Sequence, residues 1–141
     1  YTELSTGELY ELLKLRAAVF VVEQNCPYQD CDDKDKTCWH LLGYEHQELI
    51  AYARLLPYGL SYDKYCSIGR VAVSLTSRDK NYGRLLMAAA IGHCEKEFGT
   101  DIKISAQAYL EKFYRELGFV TVSETYLEDD IPHIAMVRNK H

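Results

Sequence analysis

The feature that most constrains this chain is an apolar strand pattern that runs through a basic loop into a helix. Residues 68–73 place Val71 and Val73 on one face of a strand, and residues 82–98 carry apolar side chains at helical spacing. A loop that feeds a helix leaves backbone N–H groups pointing outward, with the positive end of the helix dipole behind them. Phosphate groups bind at such positions. The segment therefore predicts an anion site at the start of the helix.

The loop itself has the composition that such a site needs. Arg78, Lys80 and Arg84 supply positive charge, while Asn81 and Gly83 allow positive φ and a close approach of the backbone to a ligand. The stretch equally fits an ordinary helix start with a solvated basic cluster. Taken alone, it leaves both interpretations open.

Apolar spacing and turn residues divide the rest of the chain into short elements. Ser5 and Glu8 match a capping box, which predicts a first helix whose apolar face runs toward Val22. The predicted order is helix, three strands, helix, strand, helix and two strands, which is an α/β (α+β) fold. The further elements are strands 41–44 and 49–56 joined across His46–Gln47, strand 102–107, helix 110–117 closed by Gly118, and strands 119–126 and 134–137.

Size and charge exclude several classes of protein. At 141 residues with 48% hydrophobic residues, we expect residues 1–141 to form a single domain, and a start at Tyr1 leaves room for a few earlier residues. A net charge of -5 disfavours nucleic-acid binding. We expect neither a membrane span nor a signal peptide. Five cysteines without paired spacing indicate no disulfide framework, so we expect a cytoplasmic location.

Residues 26–36 stand out as an acidic and aperiodic segment. The segment contains Pro27 and no hydrophobic period, so we predict an exposed loop, either solvated or facing a substrate that is a cationic amine. We expect no metal, because the candidate zinc ligands lack a Cys-x-x-Cys pair and Lys34 interrupts the calcium-like pattern. The groups concerned are Cys26, Cys31, Cys38 and His40 for zinc, and Asp30, Asp32, Asp33 and Asp35 for calcium.

Two motifs resemble those of the GNAT acetyltransferases. Arg78 and Gly83 match the ends of that family's acetyl-CoA loop, although Asp79 and Asn81 stand where glycine is common. A second motif is more specific, and it comprises Gln107, Tyr109, Leu110, Phe113, Tyr114, Gly118 and Phe119. The resemblance extends to the ElaA-like branch of the superfamily through residues 15–16, 19–24, 40–43, 53–55, 68–73 and 131–133.

The resemblance implies a fold, a co-substrate and a reaction. It implies a mixed, mostly antiparallel central sheet that splays in the middle, with helices on both faces and acetyl-CoA lying in the splay. The implied activity is direct transfer of the acetyl group to a primary amine, in a small molecule or a protein, within a ternary complex. The implied acetyl-CoA contacts are Val71, Ala72, Val73, Arg78, Asp79, Lys80, Asn81, Tyr82, Gly83, Arg84, Gln107 and Phe113.

Direct transfer also needs a proton for the departing thiolate and a base for the amine. The resemblance assigns the proton donor to Tyr114, which would otherwise be interpreted as a core aromatic residue. The base stays open between Glu23, His40, Glu128, His133 and a water chain. Arg54 and Arg70 are interpreted as substrate contacts or surface charges, with a surface position favoured for Arg70.

Two other functional classes remain as alternatives. One is a non-catalytic acyl-CoA-binding regulatory module, and the other is a zinc-stapled interaction domain. A homodimer is one option for the oligomeric state.

Overall fold

A computed structural model describes residues 1–139, except for the side chain of Asp79. The predicted order of elements is confirmed, apart from the last strands. The helices are α1 (Thr6–Arg16), α2 (Tyr82–Glu97) and α3 (Glu111–Glu116). The strands are β1 (Trp39–Glu45), β2 (Glu48–Leu56), β3 (Ser67–Val73), β4 (Ile102–Gln107), β5 (Val120–Thr121), β6 (Tyr126–Glu128) and β7 (Ile131–Arg138).

The strands form two sheets that touch at one end. Strands β1, β2 and β3 form an antiparallel sheet, and a second antiparallel sheet has the order β4-β7-β5 with β6 also paired to β7. The sheets meet where Cys66 pairs in parallel with Ile102, and the Lys103 N–H donates to the Cys66 carbonyl over 3.0 Å. Beyond this contact, Val71 and Ile104 line a cleft between the sheets. The predicted splay is therefore confirmed.

The first sheet carries one long helix on each face. Side chains alternate along β2, so Ala53 and Leu55 join the main core with Met87 of α2. Tyr52 points the other way, where the Arg16 guanidinium of α1 lies 5.7 Å from the centre of its ring. Helices on both faces are thus confirmed.

Local signals begin and end the helices as predicted. The Ser5 hydroxyl accepts from the Glu8 N–H over 3.0 Å, and the Glu8 carboxylate accepts from the Ser5 N–H over 2.8 Å. Gly118 follows α3 with a φ of 95°. After α1 the chain continues as a π-helix, Ala17–Glu23, whose wider turn leaves Val22 76% exposed. The predicted apolar face therefore does not reach Val22.

The first predicted hairpin is confirmed, whereas the single strand predicted near the end of the chain is wrong. His46 and Gln47 have φ values of 50° and 67°, as a two-residue hairpin turn requires, so the first hairpin is confirmed. The single strand predicted over 119–126 is wrong, because the Ser123 hydroxyl accepts from the Ala135 N–H over 2.9 Å. This contact replaces a backbone pair and divides the segment into β5 and β6. No helix among residues 1–139 is long and apolar enough to cross a membrane.

Candidate active site

The splay opens into a cleft of about 470 Å³ between β3 and β4. Its two sides differ, because Ile104 and Ala106 face the core under α2 while Ser105 and Gln107 point to the opposite face of the sheet. We call these the helix side and the hairpin side. On the helix side, Gly83, Phe113 and Tyr114 line the cleft; on the hairpin side, the lining includes Glu23, Gln24, Tyr28, Arg70, Glu128, Asp129 and His133.

The loop before α2 has the conformation that its composition predicts. Leu75–Lys80 forms a 3₁₀ turn, and Asn81 has a φ of 63°, which confirms the prediction of positive φ there. Gly83 instead lies in the first turn of α2, where an added Cβ would be 3.7 Å from Phe113 Cζ. A Cβ at that distance is an ordinary van der Waals contact, so neither a turn nor the packing of α3 requires glycine at this position.

The predicted acetyl-CoA contacts fall into two groups. Those that line the cleft are Val71, Val73, Arg78, Gly83, Gln107 and Phe113, and those outside its lining are Ala72, Lys80, Asn81, Tyr82 and Arg84. The side chain of Asp79 lies outside the described part of the chain.

Each loop cation is paired with an acid. Arg78 Nη2 donates to Glu23 over 2.6 Å, and Lys80 Nζ donates to Glu45 over 3.1 Å. Arg84 forms an ion pair with Glu116. The positive charge expected of the loop is therefore largely offset, and attraction of an anion depends on the backbone N–H groups and the dipole of α2.

Tyr114 lies at the base of the cleft with its ring held by aromatic neighbours. Phe113 and Phe119 contact it edge to face, with ring centres 5.1 Å and 5.9 Å away. Burial raises the pKa of Tyr114 to about 12. The hydroxyl therefore keeps its proton near neutral pH and can act as a donor.

Three of the four candidate bases line the same cleft as Tyr114, and the fourth lies outside it. Glu23 lines the cleft, but its hydrogen bond from Arg78 lowers its pKa and makes it a weaker base. His40 lies outside the cleft lining, where Nε2 donates to the Asp35 carbonyl over 2.8 Å and Nδ1 is 2.6 Å from the Tyr52 hydroxyl. Burial lowers the pKa of His40. Glu128 and His133 both line the cleft.

Glu128 and His133 belong to a polar cluster on the hairpin side. His133 Nε2 lies 3.5 Å from Glu128 Oε2, and His133 Nδ1 lies 2.7 Å from the Ile131 carbonyl. The Ser105 hydroxyl donates to Glu128 Oε1 over 3.2 Å, and its oxygen is 2.5 Å from the Tyr126 hydroxyl. Strand pairing explains the assembly, because Tyr126 is directly opposite His133 and their rings stack at 24°.

Asp33 is exposed as predicted, and Cys26 and Tyr28 line the cleft, but the other aspartates of the acidic segment face neither solvent nor a substrate. Arg16 has no exposed surface, and it forms ion pairs of 2.7 Å with Asp35 and 3.0 Å with Asp30. Arg54, which is 4% exposed, pairs with Asp32 over 2.7 Å. Three of the four aspartates are thus neutralised by arginines, because a charge removed from water needs a counterion.

Arg70 completes this set, which we call the arginine clamp (Arg16, Arg54 and Arg70). Its Nε donates to Asp30 over 2.8 Å, and its guanidinium carbon lies 5.4 Å from the centre of the Tyr28 ring. The surface position expected for Arg70 is therefore wrong. Sequence reasoning also missed Arg16, although its place four residues after the buried Leu12 puts a charge on the inner face of α1.

No group of three or more His, Cys, Asp or Glu side chains within the described residues is arranged to hold a metal ion. Two of the zinc candidates have other partners. Cys38 Sγ donates to the Lys34 carbonyl over 2.8 Å, and His40 is bonded as described above.

Comparison with known proteins adds independent findings. The profile of a family described as "Acetyltransferase (GNAT) domain" matches residues 9–140. Protein ElaA of Escherichia coli K12 is 46% identical over 141 residues, which cover 98% of this chain and 92% of that protein. Its crystal structure superposes with a TM-score of 0.90 at 45% identity, covering 98% of this chain and 94% of the other. An acyl-CoA N-acyltransferase from Pseudomonas aeruginosa gives 0.89 at 44% identity, with 97% and 94% covered.

Proposed function

Because this chain belongs to the GNAT acetyltransferase family, we propose that it transfers an acetyl group from acetyl-CoA directly to a primary amine. The observation that carries the proposal is the splayed cleft, which brings Tyr114 into one cavity with Arg78 and Gly83 of the predicted acetyl-CoA loop. A cavity of about 470 Å³ is large enough for the pantetheine arm and a small acceptor. We also propose a cytoplasmic location, which the free cysteines support.

The proposed position of acetyl-CoA follows from unpaired backbone groups. Beyond the Cys66–Ile102 contact, the edges of β3 and β4 face the cleft, so Val71 can pair with the amide groups of pantetheine as a strand would. The Val73 carbonyl accepts from Arg78 Nε over 3.1 Å, so Val73 offers pantetheine a carbonyl only if this bond is exchanged. The diphosphate would then lie at the start of α2, near Asn81 and Gly83. Predicted contacts at Gln107 and Phe113 lie within the same lining.

The proposed reaction conserves atoms and charge. The amine nitrogen forms a bond to the thioester carbonyl carbon, the carbon–sulfur bond breaks, and the thiolate takes a proton from Tyr114. The proton that the nitrogen loses as the amide forms restores the Tyr114 hydroxyl. An acceptor that starts as an ammonium ion releases one further proton, which the base takes.

A non-catalytic acyl-CoA-binding module is the second candidate, and one observation favours it. The guanidinium of Arg78, which is expected to attract the diphosphate, already donates hydrogen bonds to the Glu23 carboxylate and the Val73 carbonyl. Both candidates predict acetyl-CoA binding. Only the enzyme predicts turnover.

The test measures binding and turnover separately. Acetyl-CoA is titrated by calorimetry, and free CoA is then quantified by chromatography with a panel of amines, which avoids thiol reagents that would react with the exposed Cys31. We expect Tyr114→Phe to bind acetyl-CoA normally and to turn over about 100-fold more slowly. Tyr10→Phe, at a 66% exposed position on α1, is the matched control. Binding without CoA release for every amine would establish the non-catalytic module instead.

A further inference from the structure

Hydrogen bonds at its two ends show that β3 contains one residue more than a regular strand. Cys66 faces β4, since its N–H donates to the Asp101 carbonyl over 3.3 Å and its carbonyl accepts from the Lys103 N–H over 3.0 Å. Just beyond the strand, the Ser74 N–H donates to the Ile50 carbonyl of β2 over 2.7 Å. Cys66 and Ser74 are eight residues apart, so regular alternation would direct both toward the same neighbouring strand. One extra residue must therefore lie between them.

The extra residue is accommodated by a β-bulge at Arg70. The register with β2 shifts between Gly69 and Ala72, where Arg70 and Val71 are together opposite Ala53. Arg70 has a φ of 50°, a left-handed value that residues other than glycine rarely adopt. A shift of one residue moves every later side chain to the other face of the sheet. Val71 accordingly packs against the main core instead of pointing to the face that carries Arg70.

The bulge determines which backbone groups face the cleft. Val71 lies three residues before Ser74, so its N–H and carbonyl point away from β2 and toward the cleft that Val71 lines. Without the extra residue, these groups would pair with β2, and the Arg70 side chain would join Ile68 in the apolar core under α2. The position of the Val71 backbone therefore depends on the conformation of Arg70.

Contacts on the hairpin side hold Arg70 in this conformation. Its Nε donates to Asp30 Oδ1 over 2.8 Å, its Nη2 donates to the Asp30 carbonyl over 3.1 Å, and its guanidinium lies against the Tyr28 ring. Asp30 is fixed in turn by the buried Arg16, which donates to the same carbonyl over 3.0 Å. A residue other than glycine stays in the left-handed region only where its surroundings hold it there.

We propose that Arg70 is a positioning residue for acetyl-CoA. Its side chain is anchored on Asp30, and this anchor keeps the bulge in place and directs the Val71 backbone into the cleft. The guanidinium acts through the backbone of β3 and makes no contact with the substrate. This inference rests on the proposed acetyl transfer, and it gives the arginine clamp a role in the cleft as well as in the fold.

Alanine and glycine at position 70 separate the role of the backbone from that of the guanidinium. Arg70→Ala and Arg70→Gly both lose the ion pair with Asp30, but glycine adopts positive φ freely and alanine does not. In calorimetry, we expect Arg70→Ala to bind acetyl-CoA about tenfold more weakly than Arg70→Gly, which is the factor expected from the cost of a left-handed backbone. At saturating acetyl-CoA, kcat of the two variants should agree within about twofold, because the bound ligand selects the bulged backbone.

The same pair of substitutions at Gln47 is the matched control. Gln47 has a φ of 67°, but it lies in the exposed hairpin turn between β1 and β2, outside the cleft lining. Gln47→Ala and Gln47→Gly should therefore differ in stability, as the position 70 variants do, and bind acetyl-CoA equally well. Hydrogen exchange in the wild type adds a measurement that needs no variant, since bound acetyl-CoA should slow exchange of the Val71 N–H.

Three results would overturn the positioning role while leaving acetyl transfer intact. The first is equal affinity of Arg70→Ala and Arg70→Gly for acetyl-CoA, which would mean that the backbone conformation is not what the arginine supplies. The second is an equally large difference within the Gln47 pair, which would trace the effect to stability alone. The third is unchanged exchange of the Val71 N–H when acetyl-CoA binds. Absence of acetyl-CoA binding by the wild type would instead overturn the proposed function, and this inference with it.

Discussion

The two acidic clusters of this chain, Asp30 to Asp35 and Glu128 to Asp130, differ in what faces their carboxylates. In the first, which we call the aspartate segment, the arginine clamp holds three of four carboxylates. In the second, the acidic hairpin, Glu128 faces only a histidine and hydroxyl groups within the described residues. Similar sequence composition therefore serves two purposes. The position of the nearest arginine decides whether an acidic residue holds the fold or remains available to a ligand.

The two clusters also differ in how much the removal of their charges from water costs. Arg16 and Arg54 are removed from water, and their desolvation is offset only while their aspartates are present. Glu128 has a half-exposed side chain, so its charge is already solvated without a partner. Changes to the aspartate segment should therefore affect stability far more than changes to the acidic hairpin.

The largest expected effect is the loss of Arg16. Arg16→Met leaves Asp30 and Asp35 without this buried partner, and we predict that the free energy of unfolding in urea falls by about 3–5 kcal/mol. Lys36→Met is the matched control, because its ion pair with Asp33 is 3.9 Å long and exposed. Equal stability of the Arg16 variant and the wild type would remove the structural role of the clamp.

The second largest effect is expected at low pH, where protonation should weaken the aspartate segment. Burial alone would raise the pKa of Asp32, but the hydrogen bonds and charge of Arg54 outweigh it and hold this pKa at about 2, against 3.8 ordinarily. A carboxylate with a lowered folded-state pKa stabilises the fold above about pH 4, and the stabilisation disappears as the pH falls through about 2.

Between about pH 4 and about pH 2, the wild type should therefore lose about 1–2 kcal/mol more stability than Asp32→Asn, with some reduction by solvent screening. Urea unfolding at each pH measures the difference, and Asp33→Asn controls for the change in charge. Parallel pH curves for the wild type and Asp32→Asn would contradict the assignment.

A smaller effect is expected where the aspartate segment meets the cleft. The Tyr28 hydroxyl donates to Asp30 Oδ1 over 3.1 Å, and its ring lies against Arg70. Tyr28→Phe keeps the ring and removes the hydrogen bond, so we predict a loss of about 1 kcal/mol in thermal or urea unfolding. Tyr58→Phe, at an exposed position, provides the reference. A loss as large as that of Arg16→Met would mean that the tyrosine is an essential part of the clamp.

The smallest effect on stability belongs to the acidic hairpin. Glu128→Gln should change the free energy of unfolding by less than about 0.5 kcal/mol, since the carboxylate is half exposed. A large loss of stability in the Glu128→Gln variant would show that the two clusters do not differ in their contribution to the stability of the fold.

Signals that act over a few residues made most of the fold predictable. The capping box at Ser5, the turn at His46–Gln47 and the glycine after α3 each specify their own backbone geometry. The division between β5 and β6 was not predictable, because it depends on a hydrogen bond from Ala135 to Ser123, twelve residues away. Alternation of side chains carries no information about that contact.

In the candidate site, too, the sequence predicted some residues correctly and others incorrectly. Val71, Gly83 and Phe113 were predicted from the strand, the loop and the second motif, and all three line the cleft. The role of the aspartates was predicted incorrectly, because their partners lie up to 40 residues away, as Arg70 does from Asp30. Sequence spacing shows that carboxylates are clustered, but only the fold shows which of them meet a cation.

A small rotation of the two sheets about the contact between Cys66 and Ile102 would produce a larger displacement farther along β3. Val71 is five residues from this pivot, which is roughly 17 Å along an extended strand, so a rotation of about 3° at the pivot moves Val71 by about 1 Å. Both pivot side chains are buried, at 0% and 1% exposure. A core substitution that rotates the two sheets by this angle would therefore change the width of the cleft at Val71.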